Sequence, residues 1–154
     1  MAGSNGDVEN TEADKLIIGW REWAALPDLG IRRIKAKVDT GARTSCLHAF
    51  SIEPVTHQGC PWLRLGIHPR RDNQKEVFCE SAVADEREVM DSGGHTEVRY
   101  VIETMLHMAD SQHCIEMTLT NRDSMRYRML LGRTAMRGHF VVDPQSAYLL
   151  GKPR

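Results

Sequence analysis

Val38-Asp39-Thr40-Gly41-Ala42 is the stretch from which the fold can be read. It closes an alternating run that begins at Ile31. Within that run Ile34, Ala36 and Val38 share one face while Lys35 and Lys37 take the other, the pattern of a half-buried strand. Asp39 therefore stands where a strand ends. Gly41 permits a tight turn and close backbone approach, Thr40 offers a hydroxyl to lock the turn, and Ala42 is small enough to pack beneath it. An Asp carried on a strand-turn-strand element is held rigidly.

Such an Asp suits acid/base activation of water by paired carboxylates. Two aspartates within hydrogen-bonding distance cannot both ionise and so share a proton; one accepts a proton from the attacking water while the other protonates the substrate carbonyl. This chain supplies one such Asp with full context. Read alone, Asp-Thr-Gly is equally well a capped turn, because Asp and Gly dominate turns. A second signal about ninety residues later separates the two readings: Met129-Leu130-Leu131-Gly132-Arg133, an apolar run ending in Gly, followed by a short helix-like Arg133 to Arg137 closed by Gly138.

An Asp-Thr-Gly-Ala loop followed much later by an apolar-Gly-Arg run resembles the retropepsin-like aspartic peptidases, in which the apolar-Gly strand crosses behind the Asp loop. The likeness extends over about residues 16 to 151. It is carried by Gly19-Trp20-Arg21-Glu22-Trp23, Lys35 to Ser45, Glu97-Val98-Arg99-Tyr100-Val101-Ile102, Leu119-Thr120-Asn121-Arg122, Arg128 to Arg133 and Phe140-Val141-Val142-Asp143-Pro144. These segments are similar to a bacterial family labelled ATP-dependent zinc proteases. The resemblance implies an all-β, retropepsin-like acid-protease closed barrel with one short C-terminal helix and one lobe per chain.

The 154 residues fit one domain with a modest core, and 41% apolar with 27% charged residues is ordinary for a globular protein. A net charge of -1 argues against a nucleic-acid binder held by its overall field. No apolar run approaches the roughly 20 residues of a membrane span, and the N-terminus has no apolar signal core, so no membrane role and a cytoplasmic location are expected. Cys46, Cys60, Cys79 and Cys114 form no Cys-x-x-Cys pair and read as reduced thiols. There is no His-Glu-x-x-His, and Cys46-Leu47-His48 or His113-Cys114 is weak ligand spacing. A Gly-x-x-x-x-Gly-Lys-Ser/Thr loop is likewise lacking, so neither zinc nor ATP is expected as a cofactor, and no residue is assigned to metal.

In chain order, residues 1–14 are polar and aperiodic and read as a disordered N-terminal tail, leaving residues 15–154 as the peptidase domain. Leu16 to Trp23 reads as one strand, and Leu26-Pro27-Asp28-Leu29-Gly30 as the turn into the strand that carries Asp39. Thr44 to Ile52 should return as a strand ending near Pro54. Trp62 to His68 and Glu76 to Val83 alternate around a charged tip, Pro69 to Lys75, and predict a hairpin. Glu86 to Met90 and His95 to Leu106 predict another, joined by Asp91-Ser92-Gly93-Gly94, whose glycines suit the substrate-covering flap of retropepsins. Reading Asp91-Ser92-Gly93 as a second catalytic loop in one chain fails, because each loop needs its own apolar-Gly strand and the sequence has one. Phe140 to Val142 and Ala147 to Leu150 are predicted as the last two strands.

One Asp loop and one apolar-Gly strand amount to half a dyad, so a two-fold homodimer is expected, with Asp39 and its mate facing across the axis. From Asn121 to Arg137 five arginines stand against one acid, Asp123, and Arg43 follows the Asp loop, a patch suited to carboxylates. The resembled family is associated with ATP-grasp ligases that add glutamates to proteins. The expectation is an aspartic endopeptidase that hydrolyses an acidic peptide or glutamate-modified protein, such as poly-α-glutamate, with a glutamate ligase as a partner. Asp39 would be its catalytic group, braced by Thr40 and Gly41. Arg43, Arg99 and Arg133 would contact substrate carboxylates, and Asp91, Ser92, Gly93 and Gly94 would form the flap. The alternative is a non-catalytic dimeric module that binds acidic tails.

Overall fold

In the computed structural model, which describes residues 15–91 and 93–153, the first apolar run divides at Gly19 into β1 (Leu16–Ile18) and β2 (Arg21–Leu26). The sequence had suggested one strand. The break follows from a close approach: a Cβ on Gly19 would strike the Ser146 carbonyl, and the Trp20 amide donates to that same oxygen at 2.8 Å. A 3-10 turn, Pro27–Leu29, then reverses the chain and ends at Gly30 with φ 72°, a left-handed conformation that suits glycine. The next strand, β3, spans Ile31–Val38 as the alternation predicts, with Ile31, Ile34 and Ala36 buried.

The return strand, predicted unbroken to Pro54, is instead divided into β4 (Ser45–His48) and β5 (Ser51–His57). The division falls where the chain changes sheets. The Ala49 amide donates to the Thr120 carbonyl, and the next amide, that of Phe50, donates to the Gly66 carbonyl, both at 2.9 Å. Pro54 does not end β5, because β5 is an edge strand and needs no donor on its open side. β5, β6 (Cys60–Ile67) and β7 (Val77–Ala82) form an antiparallel meander, its second hairpin the predicted one. β8 (Asp85–Met90) and β9 (Thr96–Met108) form the second predicted hairpin. β10 (Ser111–Thr120) folds back on β9, and β11 (Met129–Leu131), helix α1 (Arg133–Met136) and β12 (Phe140–Val142) complete the chain.

Six strands close into a barrel in the order β10-β4-β11-β3-β2-β9, with β9 returning to β10. The expected all-β closed barrel with one short C-terminal helix is therefore the fold. Closure uses up strand edges that would otherwise be open. The apolar interior is contributed by every barrel strand, including Ala24, Ile34, Leu47, Ile102, Met117 and Leu131. β1 lies outside the barrel, paired in parallel with β12.

Ala147 to Leu150 is not a strand. Tyr148 has φ 56°, and the Leu149 and Leu150 amides, at 2.8 and 3.1 Å, bond to the Glu22 carboxylate instead of to a neighbouring strand. The proposed tail, residues 1–14, lies outside the described residues.

Candidate active site

β3 and β4 flank the Asp39 loop and are consecutive in the chain, yet they do not pair. β11 lies between them, parallel to β3 (Leu131 opposite Val38) and antiparallel to β4 (Met129 opposite Leu47). The apolar-Gly run therefore passes behind the loop and fastens it from below. The Asp39 amide donates to the Leu131 carbonyl at 2.9 Å, while the Arg133 and Thr134 amides donate to the carbonyls of Ala42 and Arg43 at 2.9 and 3.0 Å.

Within the loop, Asp39 Oδ1 accepts the Gly41 amide at 3.0 Å and the Asp39 carbonyl accepts the Ala42 amide at 3.2 Å. A Cβ on Gly41 would lie 3.2 Å from Asp39 Oδ1, so a side chain there would crowd the carboxylate. Gly132 is more tightly enclosed: its Cβ would stand 2.6 Å from the Thr44 carbonyl carbon. Its amide donates to Ser45 Oγ at 3.0 Å. Asp39 is half-buried and Thr40 exposed, so a rigid carboxylate meets solvent at the barrel rim. Arg133, beside this loop, donates from Nη1 to the Thr40 carbonyl at 2.9 Å. Thus Asp39, Thr40, Gly41, Arg43 and Arg133 come together in one corner of the barrel.

Asp91, Gly93, Gly94 and Arg99 belong to a second group, on the β8–β9 hairpin. Asp91 Oδ1 accepts the Gly93 and His95 amides, both at 2.9 Å, and Gly94 takes φ 84°. Asp91 is therefore a turn residue of the β8–β9 hairpin. Ser92 lies outside the described residues. The His95 amide, with the Arg122 guanidinium at 3.0 Å, holds the Asp91 carboxyl below the usual carboxylate range.

Arg122 also reaches Glu97 Oε1 at 2.9 Å, and Glu97 Oε2 lies 3.3 Å from Arg99 Nε. Burial pushes the Glu97 carboxyl up, but the two arginines outweigh it and hold it below its ordinary range. The buried Arg99 also donates to Cys46 Sγ at 3.4 Å. Burial raises the Cys46 thiol pKa despite Arg99, so it remains protonated. A polar chain thus runs from the hairpin tip through Arg122, Glu97 and Arg99 to Cys46, next to the Ser45 that holds Gly132.

The arginine-rich segment does not stay together. Arg122 is committed to the hairpin, Arg133 to the loop, and Arg128 is buried with Nη2 3.5 Å from Asp123. Glu97 and Glu22 were not singled out as functional in the sequence, although both lie in the quoted motifs. Glu22 is fully buried and accepts the Gly19 amide at 2.8 Å besides those of Leu149 and Leu150. A polar residue on the inward phase of an alternating strand was the available signal. Among the described residues no group of three or more His, Cys, Asp or Glu side chains could hold a metal ion, and no helix is long and apolar enough to cross a membrane.

A closed barrel with one Asp-Thr-Gly loop, backed by an apolar-Gly strand threaded between its flanking strands, defines a retropepsin-like domain. The family model described as RimB-like, retropepsin-like aspartic endopeptidase RimB, matches residues 17–153, and the chain belongs to that family. It is similar to "Probable alpha-L-glutamate ligase" of Shewanella pealeana, 47% identical over 140 residues that are 90% of this chain and 31% of that protein. A protein of the same name from Parasynechococcus marenigrum is 47% identical over 141 residues, 91% of this chain and 30% of its own length. The chain thus spans about a third of the curated relatives it matches. A crystal structure of a Legionella pneumophila protein of unknown function superposes with a TM-score of 0.73 at 29% identity, covering 88% of this chain and 98% of that one.

Proposed function

We propose that this chain is an aspartic endopeptidase that works as a homodimer and hydrolyses acidic peptides, with α-linked glutamate chains as the substrate. The observation that carries the reading is the Asp39 carboxylate, fixed at the rim by the Gly41 amide and by β11 behind it. One chain supplies one such carboxylate, so the second of a dyad comes from a second copy about a two-fold axis. The substrate class is suggested by relatives named for joining α-L-glutamate, about a third of whose length is similar to this chain.

In the singly protonated dyad the ionised carboxylate takes a proton from water as its oxygen attacks the peptide carbonyl carbon. The protonated partner gives its proton to the carbonyl oxygen. The tetrahedral adduct then collapses: the C–N bond breaks as the departing nitrogen takes the proton of the protonated carboxyl, one hydroxyl of the adduct returns its proton to the ionised carboxylate as the carboxyl group forms, and a free acid and an amine result. Water attack thus leaves the dyad in the protonation state in which it began. The rate should follow a bell in pH, and its two limbs belong to the pair and not to either Asp39 alone. Arg133 and Arg43 stand beside the loop as contacts for substrate carboxylates, whereas Arg99, expected in the same role, is buried and paired with Glu97; the Asp91 to Gly94 tip is read as the covering flap.

The test is mass spectrometry of an α-linked oligoglutamate incubated near neutral pH with the wild type and with Asp39→Asn, chelator present in both. Hydrolysis by the wild type should fall by at least about a thousandfold in Asp39→Asn, within the range that positioned proton transfer supplies. Equal hydrolysis by the two proteins would overturn the dyad. An intact oligoglutamate in both would favour a dimeric module that holds acidic tails without cutting them.

A further inference from the structure

A pocket of about 170 Å³ lies away from the Asp39 loop, none of whose residues line it. It forms where the tip between β6 and β7, expected to be merely solvated, comes against β2, β3 and the segment before β11. Six cationic side chains line it: Arg21, Lys35, Arg70, Arg71, Arg126 and Arg128. The one acidic lining residue, Asp72, is occupied by Arg70, which donates to it from Nε at 3.1 Å and Nη2 at 2.9 Å. Among the described residues, Arg21, Lys35, Arg71 and Arg126 have no carboxylate within ion-pair distance.

Two of these arginines are held in place with hydrogen-bonding capacity unused. The Arg21 guanidinium lies 4.5 Å from the Trp20 ring centre and 4.9 Å from that of Tyr148, and it donates to the Tyr127 hydroxyl at 2.8 Å. Its buried Nε has no protein acceptor. The Arg128 side chain is 8% exposed, and its Nε is also buried without an acceptor. Gathering like charges around a concavity is unfavourable unless an anion offsets them, and planar guanidinium groups suit oxyanions with several acceptor oxygens. The volume admits a multiply charged group together with some of its water.

We propose that this pocket is a binding site for a multiply charged oxyanion, with Arg21 and Arg128 as its rigid wall and Lys35, Arg71 and Arg126 as its adjustable one. The proposal rests on the charge and geometry of the pocket and does not require the peptidase reading. The same oxyanion chemistry has two sources, a phosphate compound or the side-chain carboxylates of an acidic peptide held away from the cleavage point.

The experiment is titration calorimetry at low salt with inorganic pyrophosphate and with α-linked tetraglutamate, using Asp39→Asn so that hydrolysis does not enter the heats. At least one probe should bind, should weaken as salt rises, and should bind at least tenfold more weakly when Lys35→Gln and Arg126→Gln are combined on that background. These two side chains are exposed, so their replacement leaves the barrel intact. Arg21→Gln should give the same loss, and the exposed pair decides the matter if that variant unfolds. Pyrophosphate alone binding would identify a phosphate ligand, tetraglutamate alone a carboxylate chain, and mutual competition a site that accepts both. Absence of binding by either probe, or undiminished binding in the exposed double variant, would overturn the proposal.

Discussion

Gly132→Ala tests the central argument about the Asp39 loop, that β11 approaches its neighbours too closely for any side chain at that position. The added Cβ would stand 2.6 Å from the Thr44 carbonyl carbon, 2.8 Å from the Ser45 nitrogen and 2.8 Å from the Thr44 oxygen, whereas ordinary contact begins at 3.4 Å. Relief requires one segment to move by about 0.8 Å, and every obstructing atom is backbone, so no rotamer change can provide it. Overpacking of this kind costs about 1–3 kcal/mol. The displacement also strains the Gly132 bond to Ser45 Oγ and the Asp39 bond to the Leu131 carbonyl, each worth about 0.5–1.5 kcal/mol. The expected loss is therefore about 2–6 kcal/mol, which at about 2 kcal/mol per molar moves a urea midpoint by about 1–3 M. Hydrolysis of oligoglutamate should fall by about a hundredfold in the folded fraction, because the carboxylate shifts with its loop. Gly138→Ala is the contrast: nothing crowds its Cβ, and the cost is the positive φ alone, about 1–2 kcal/mol. A Gly132→Ala protein within about 0.5 kcal/mol of wild type, with unchanged turnover, would refute the reasoning.

Glu22→Gln puts an NH2 group against amides that now donate to a carboxylate. It should destabilise by about 2–4 kcal/mol in urea titration, and a shift under about 0.5 kcal/mol would mean that the C-terminal segment is held by something else. Asp91 has a depressed pKa in the folded chain, so its contribution is present above the unfolded value of about 3.9 and is lost as pH falls through the folded value. Urea midpoints measured from pH 7 down to pH 2 should therefore drop less steeply below about pH 4 in Asp91→Asn, and parallel curves would contradict the assignment. Buried His48 has its pKa lowered by burial first and by Arg128 second, and the same sign holds for a base kept neutral. Its contribution is full above about 6.5 and declines as pH falls below it, so His48→Gln should flatten the stability curve just below pH 6.5. Arg122→Gln should release the β8–β9 tip, visible as faster hydrogen exchange at the Gly93 and His95 amides with the barrel strands unchanged.

What could be read before the structure were features written in short-range pattern. The alternation from Ile31 to Val38 marks both ends of β3, and the two hairpins announce themselves by alternation on either side of polar tips. Met129 to Gly138 shows its strand, helix and stop in ten residues. What could not be read depends on partners far off in the chain. The division at Gly19 is imposed by Ser146, the one at Ala49 and Phe50 by carbonyls of Thr120 and Gly66. Ala147 to Leu150 has strand-like composition but lies where the Glu22 carboxylate takes the amides that a neighbouring strand would have used. The arginines were misjudged as one patch for the same reason. Closeness in sequence brought them together, while the fold sends Arg122 to the hairpin, Arg133 to the Asp loop, and Arg126 and Arg128 to a pocket shared with Arg21.

The threading of β11 between β3 and β4 also sets an order of events during synthesis. The strand that fixes Asp39 is made some ninety residues after it, and a ribosome delivers residues one by one from the N-terminus. Until Met129 to Gly132 has emerged, the Asp39 amide lacks its carbonyl partner and the barrel has a gap between the two strands beside the loop. Pairings so distant along the chain form slowly. An unfinished or truncated polypeptide therefore carries the Asp-Thr-Gly tripeptide without the backbone partners that hold it in place.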